Sequence, residues 1–165
     1  MERKYETTIA QRTLRMVYSL ISNGEHEEAK RLILPEIRHV PLRLVSPNKG
    51  YLLHFAILKG SYEIIEYLLD GGADIELKMT GQTPFLYAAS RRKLKMCELL
   101  FRRGANIDAG GCRGLTSLHY AVLTQNVPLV QFLLLAGAQD LKDNYGRTAL
   151  DYANKEMALL FEKKH

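Results

Sequence analysis

Apolar residues recur three and four positions apart in short stretches that close on a glycine. Ile64, Ile65, Leu68 and Leu69 form one such stripe, and Leu129, Val130, Leu133 and Leu134 form another. That spacing predicts short amphipathic helices. Gly72, Gly104 and Gly137 end the segments EIIEYLLDGGAD, MCELLFRRGAN and LVQFLLLAGAQD, where a helix takes a left-handed terminator. A second set of segments carries a smaller helical face: GQTPFLYAAS from Gly81, GLTSLHYAVL from Gly114 and GRTALDYANK from Gly146. In the first of these, Phe85, Ala88 and Ala89 share one side of a short inner helix. Thr83 is expected to cap that helix, with Pro84 at its first position, where a missing amide is no loss. Thr116 and Thr148 repeat the cap, and Thr148 with Asp151 approximates a capping box. Pro128 falls in the first turn of its outer helix, where it does little harm.

A weaker copy, KGYLLHFAIL, starts at Lys49, so the copies begin at 49, 81, 114 and 146, a spacing of 32 or 33 residues. With the recurring Gly-x-Thr-Pro-Leu-His-x-Ala positions, the chain resembles the ankyrin-repeat family over residues 49–165. The resemblance implies an all-α solenoid of about five helix pairs joined by hairpin-like fingers. Residues 1–165 then make one domain: 1–48 a degenerate N-terminal capping repeat, 49–80, 81–113 and 114–145 full repeats, and 146–165 a C-terminal capping repeat. In the first 48 residues, RTLRMVYSLISNGEHEEAKRLIL predicts two helices around an Asn23-Gly24 turn. PEIRHVPLRLVSP, with Pro35, Pro41 and Pro47, predicts an irregular loop. Glu162, Lys163 and Lys164 give the far end the polarity of a cap.

Composition narrows the function classes. Of 165 residues, 47% are hydrophobic and 25% charged, which fits a globular rather than a disordered chain. No apolar run approaches a membrane span, and the start MERKYETTIAQRT lacks a signal core. Two cysteines without a Cys-x-x-Cys pair argue against a disulfide scaffold or a zinc site, so cytoplasm or nucleus is the expected setting. Cys97 is expected on the buried face of an outer helix. His54 and His119 occupy the motif histidine position, which the resemblance assigns to hydrogen bonds between repeats. Leu86 and Asp151 stand there in the other copies and break the ladder. Phosphate-loop, metalloprotease, kinase and hydrolase signatures do not occur, and the expectation is a non-enzyme without cofactor or metal.

The net charge of +5 leaves an acidic partner open. Arg91, Arg92, Lys93, Lys95, Arg102 and Arg103 form a basic cluster, in which Arg102 and Arg103 suit a helix C-terminus. By the resemblance, partners lie across the fingers and the exposed side of the inner helices. In this chain those positions include Leu58, Lys59, Leu77, Met79, Gln82, Ser90, Arg91, Cys112, Arg113, Leu115, Leu123, Thr124, Tyr145 and Arg147, together with Pro47 and Asn48. Apolar anchors with an arginine rim suit a protein-binding surface. The expected function is a stoichiometric regulatory subunit or adaptor. Small ankyrin inhibitors of cell-cycle kinases, and a small ankyrin cell-cycle regulator of fly embryos, are similar in length and repeat number. Their example puts a kinase or its activating subunit forward as the partner, with no small-molecule substrate and no membrane. One alternative is a transcription-factor inhibitor of the inhibitor-of-NF-kappaB type, though such proteins usually have more repeats and an acidic segment. Nucleic-acid binding through the basic cluster ranks last, because the tyrosines are mostly in repeat positions.

Overall fold

The computed structural model describes the backbone of residues 2–39 and 49–162, and side chains within 12–33 and 52–162. Pro41, Pro47 and Asn48 lie outside the described residues. Among those described, every regular element is helical. The chain divides into two compact units, Met1–Asp74 and Ile75–His165.

The first unit holds α1 (Glu2–Asn23), α2 (His26–His39), α3 (Lys49–Lys59) and α4 (Tyr62–Asp70). Gly24, at φ +80°, makes the expected turn between α1 and α2. The helix then departs from expectation: α2 runs through Pro35 to His39, where an irregular loop was predicted. A proline inside a helix gives up one backbone bond and crowds the carbonyl four residues back, which is why a break was expected; here the helix continues for about one more turn. Val17, Ile21, Ala29, Ile33, Leu53, Ala56, Ile57, Ile64 and Ile65 are buried and form this unit's core. Tyr18 meets Phe55 edge to face at 4.6 Å. Polar contacts join α2 to α4 and its cap: His26 Nε2 lies 3.1 Å from Ser61 Oγ, the Tyr67 hydroxyl donates to the Lys30 carbonyl at 3.2 Å, and Glu63 lies within 3.4–3.6 Å of His26 and Lys30.

The second unit stacks inner helices α5 (Pro84–Ser90) and α7 (Ser117–Leu123) and a 3-10 turn, Leu150–Tyr152. Outer helices α6 (Leu94–Arg102), α8 (Val127–Leu135) and α9 (Lys155–Glu162) back them. The last inner element is thus a single 3-10 turn rather than an α-helix. Thr83 caps α5 as predicted, accepting the Leu86 amide at 3.2 Å with Pro84 next to it. Asn126 caps α8 through the Leu129 amide, and Pro128 sits in its first turn. The three terminator glycines take φ of +80°, +88° and +87° at Gly72, Gly104 and Gly137. Each closes its helix with the same pair of bonds. At α6, Gly104 N–H donates to the Phe101 carbonyl (2.9 Å) and Ala105 N–H to the Leu100 carbonyl (3.0 Å).

The outer helices bury one stripe, and α5 is buried nearly all round, from Pro84 to Ala89. Cys97 is fully buried as predicted, and burial pushes its thiol up to about 12. It acts as a small hydrophobe, not a nucleophile. Phe101 on α6 and Phe132 on α8 meet edge to face at 5.8 Å.

Candidate partner-binding face

Three fingers precede the inner elements of the second unit, α5, α7 and the 3-10 turn. In the first, Met79 and Gln82 exchange both backbone bonds (2.8 and 2.9 Å) across Thr80 and Gly81, at φ +48° and +80°. This is the hairpin-like finger that the spacing predicted. The second closes with Gly111 N–H on the Leu115 carbonyl (2.9 Å) and contains a 3-10 turn, Cys112–Gly114. The third closes with Asp143 N–H on the Arg147 carbonyl (2.8 Å).

Neighbouring fingers are tied to one another. Lys78 Nζ donates to the Gly110 carbonyl (3.1 Å), Cys112 Sγ to the Thr80 carbonyl (3.5 Å) and Asn144 N–H to the Arg113 carbonyl (2.9 Å). At the finger bases, Glu76 accepts the Asn106 amide (2.7 Å) and Asp108 accepts the Gln139 amide (2.9 Å). Asp140 accepts the Ala149 amide (2.7 Å). Sequence reasoning missed these three carboxylates, although an acid recurs at 76, 108 and 140 in phase with the repeat.

His119 does what its motif position implies. Its Nε2 lies 3.1 Å from the Arg147 carbonyl, which only accepts, so Nε2 carries the hydrogen. Nδ1 is then the acceptor for the Thr116 amide (3.2 Å) and hydroxyl (2.9 Å). One imidazole thereby joins the start of its own helix to the next finger. His54 is buried as well, in the first unit. Leu86, in the same motif position, replaces the hydrogen bonds with apolar packing. It is 1% exposed, and its Cδ2 sits where a side chain on Gly111 would begin. Thr148 and Asp151 form the reciprocal cap that their spacing predicted. The Thr148 amide donates to Asp151 Oδ2 (2.7 Å), and the Asp151 amide to Thr148 Oγ1 (3.4 Å).

The predicted contact residues separate by exposure. In the first unit, Leu58 and Lys59 are exposed at the end of α3, with Lys59 Nζ 5.4 Å from the Phe55 ring centroid. In the second unit Leu77, Leu123 and Tyr145 are exposed, at 44%, 47% and 66%. Arg91, Cys112, Arg113 and Arg147 are exposed beside them, while Met79, Gln82, Ser90, Leu115 and Thr124 are half-buried. Part of the last group serves the fold itself. Thr124 Oγ1 donates to the Tyr120 carbonyl (2.7 Å), Ser90 Oγ to the Tyr87 carbonyl (2.9 Å) and Gln82 Nε2 to the Tyr120 hydroxyl (3.4 Å). In the basic cluster, Arg92 is exposed at φ +60°, in the turn position that Gly60 fills in the first unit.

A further feature went unread in the sequence. The residue after the motif histidine position is aromatic in every copy: Phe55, Tyr87, Tyr120 and Tyr152. Arginines lie on two of these rings. Arg91 Cζ is 5.1 Å from the Tyr87 centroid, and Arg147 Cζ is 4.4 Å from Tyr152 and 5.2 Å from Tyr145. Behind Arg147, the buried Asp143 accepts the Tyr145 amide (2.8 Å), the Arg147 amide (3.0 Å) and the Tyr152 hydroxyl (2.6 Å). Burial pushes the Asp143 carboxyl up. The Tyr152 hydroxyl and the two amides outweigh it and hold the group below the ordinary carboxylate range. The same bond raises the Tyr152 hydroxyl.

A carboxyl depressed in the folded state adds stability above its unfolded pKa and loses it as pH falls through the folded value. The third finger should therefore loosen on acidification below about pH 4. Asp143→Asn is expected to be less stable at pH 7 and to show a flatter decline in urea midpoint between about pH 5 and pH 3. An unchanged pH profile in the variant would remove Asp143 from the account.

Among the described residues, no His, Cys, Asp and Glu side chains cluster to hold a metal ion, and no helix is long and apolar enough to cross a membrane. Residues 15–111 match a family model described as ankyrin repeats (three copies), and residues 113–144 match one described as ankyrin repeat. The chain is 34% identical over 110 residues to the B-cell lymphoma 3 protein homolog of Mus musculus, covering 65% of this chain and 25% of that one. It is 35% identical over 144 residues to a transient receptor potential cation channel subfamily A member 1 homolog of Caenorhabditis elegans, covering 84% and 12%. It is 34% identical over 110 residues to a putative palmitoyltransferase ZDHHC13 of Danio rerio, covering 64% and 17%. The chain therefore spans a quarter or less of the length of these relatives.

Proposed function

Because the chain belongs to the ankyrin-repeat family, whose repeats are protein-protein interaction modules, we propose that it acts as a non-enzymatic regulatory subunit or adaptor. The observation that carries this reading is the exposure of Leu77, Leu123 and Tyr145 beside Arg91, Arg113 and Arg147 on fingers and inner helices of one unit. Apolar side chains on a polar stack gain by burial under a partner, and arginines at their edge orient it. The relatives support a shared binding role rather than a shared chemistry. The same repeats occur in proteins named as a channel homolog and as a palmitoyltransferase. In the finer form of the proposal, the partner is a cell-cycle protein kinase or its activating subunit, met in the cytoplasm or nucleus. Resemblance in length and repeat number to small ankyrin kinase inhibitors supports it.

Affinity capture from native extract tests both levels. The wild-type protein should retain one stoichiometric protein, and Leu123→Arg should lose it while keeping its far-UV helical signal. Leu123 projects from the end of α7 at 47% exposure, so a charge there meets solvent until a partner covers it. Retention of a kinase or its activating subunit supports the cell-cycle form. A retained transcription factor would replace that form with the inhibitor-of-NF-kappaB type. Material released by nuclease would overturn the protein-binding reading itself. Unfolding of Leu123→Arg would show that Leu123 belongs to the core.

A further inference from the structure

Charge is segregated on the second unit's finger face. The three fingers contain four carboxylates. Glu76, Asp108 and Asp140 each accept a backbone amide at a finger base, and Asp143 is buried against Tyr152. The cations of the same fingers, Lys78, Arg113, Lys142 and Arg147, are exposed, as is Arg91 at the C-terminal end of α5. Two of them are braced, Arg91 on Tyr87 and Arg147 between Tyr145 and Tyr152, where its Nε also pairs with Asp143 Oδ2 at 3.9 Å. A guanidinium laid on a ring has fewer rotamers to lose on binding, and its planar fork matches a carboxylate. The rings bear on ligand class as well. Single-stranded nucleic acid stacks its bases on exposed aromatic faces. Here Tyr87 is buried, and one face of Tyr152 carries Arg147.

We propose that this face receives an extended acidic segment of a partner protein, with Arg91 and Arg147 as its two carboxylate anchors. The proposal rests on the protein-binding reading above and specifies the chemistry of the partner. Tyr87 and Tyr152 lie on α5 and the 3-10 turn, with α7 packed between them. Two inter-element steps of about 10 Å put the anchors about 20 Å apart. An extended chain covers that span in about six residues. Leu123 and Tyr145 supply apolar contacts along the way, so the fitting segment alternates acids with apolar side chains.

Selection of phage-displayed random dodecapeptides on the whole protein tests this, followed by anisotropy titration of the enriched peptides, their Gln/Asn counterparts and a dT oligonucleotide. Enriched peptides should be acidic, and replacing their acids by amides should weaken binding roughly tenfold or more. Arg91→Gln combined with Arg147→Gln should cause a similar loss. The control pair Lys95→Gln and Arg102→Gln, on exposed positions of α6, removes the same charge and should change binding less than about twofold. Far-UV spectra of all variants should match the wild type. Neutral enriched peptides, or equal losses in the control pair, would overturn the acidic-segment proposal and leave the protein-binding reading in place. Failure to enrich any peptide would also overturn it, and affinity capture would then judge the protein-binding reading separately. Tighter binding of the oligonucleotide than of any peptide would overturn both.

Discussion

Replacing His119 by leucine should cost about 1–3 kcal/mol, although the side chain is of similar size and leucine already stands in the same motif position at Leu86. His119 is fully buried, and its two nitrogens serve the Thr116 amide and the Arg147 carbonyl. Removing the ring leaves the buried Thr116 amide without its partner, at about 1–3 kcal/mol where water cannot replace it, while the Arg147 carbonyl keeps the Asp143 amide. Leu86 avoids the larger loss because it packs against the backbone of Gly111, where a side chain would not fit. Urea unfolding followed by far-UV circular dichroism measures the difference. A loss below about 0.5 kcal/mol would mean that solvent reaches the Thr116 amide and that the histidine tie adds little.

Gly114→Ala should be comparably damaging, at about 2–4 kcal/mol, whereas Gly137→Ala should cost about 1 kcal/mol. Both glycines have positive φ, +73° and +87°, so both variants carry the left-handed strain of an L-residue. They differ in surroundings. A Cβ on Gly137 meets nothing within 4 Å, while one on Gly114 would lie 2.5 Å from Asn144 Oδ1 and 3.0 Å from the Asn144 amide nitrogen. That amide is the donor that ties the third finger to the second through the Arg113 carbonyl (2.9 Å). The Asn144 side chain must therefore turn away, and the tight approach to its amide presses on a backbone contact between fingers. Equal losses in the two variants would show that strain alone sets the cost. A larger loss at Gly114, with the third finger opening first to hydrogen exchange, is the expected result.

These two sites mark the boundary between what was legible and what was not. Thr83, Pro84 and the terminators at 72, 104 and 137 act within one helix turn, on amides and carbonyls a few residues away. Such chemistry is local, so type and spacing along the chain suffice to read it. The apolar stripes of α4 and α8 are local in the same sense, and Ile64, Ile65, Leu129, Val130, Leu133 and Leu134 are buried as their periodicity implies. Pro35 shows the limit of that reasoning, since α2 continues through it to His39.

The candidate face was only half readable. Leu77, Leu123 and Tyr145 are exposed where the repeat positions placed them, but Met79, Leu115 and Thr124 are half-buried. Asp143 looked like any finger aspartate, and its importance comes from the Tyr152 hydroxyl nine residues on, in a different element. Tyr87 and Arg91 are four residues apart on one helix, so spacing could have shown that pair, but not Arg147 resting on Tyr152. By itself, then, the sequence determined the helices, their caps, the period and the family to which the chain belongs, because these depend on contacts within a few residues. Tertiary structure alone decided which finger carboxylates are consumed by backbone amides, and why one glycine is crowded and another is not. Those outcomes depend on distances between copies some thirty residues apart, which packing sets and periodicity does not.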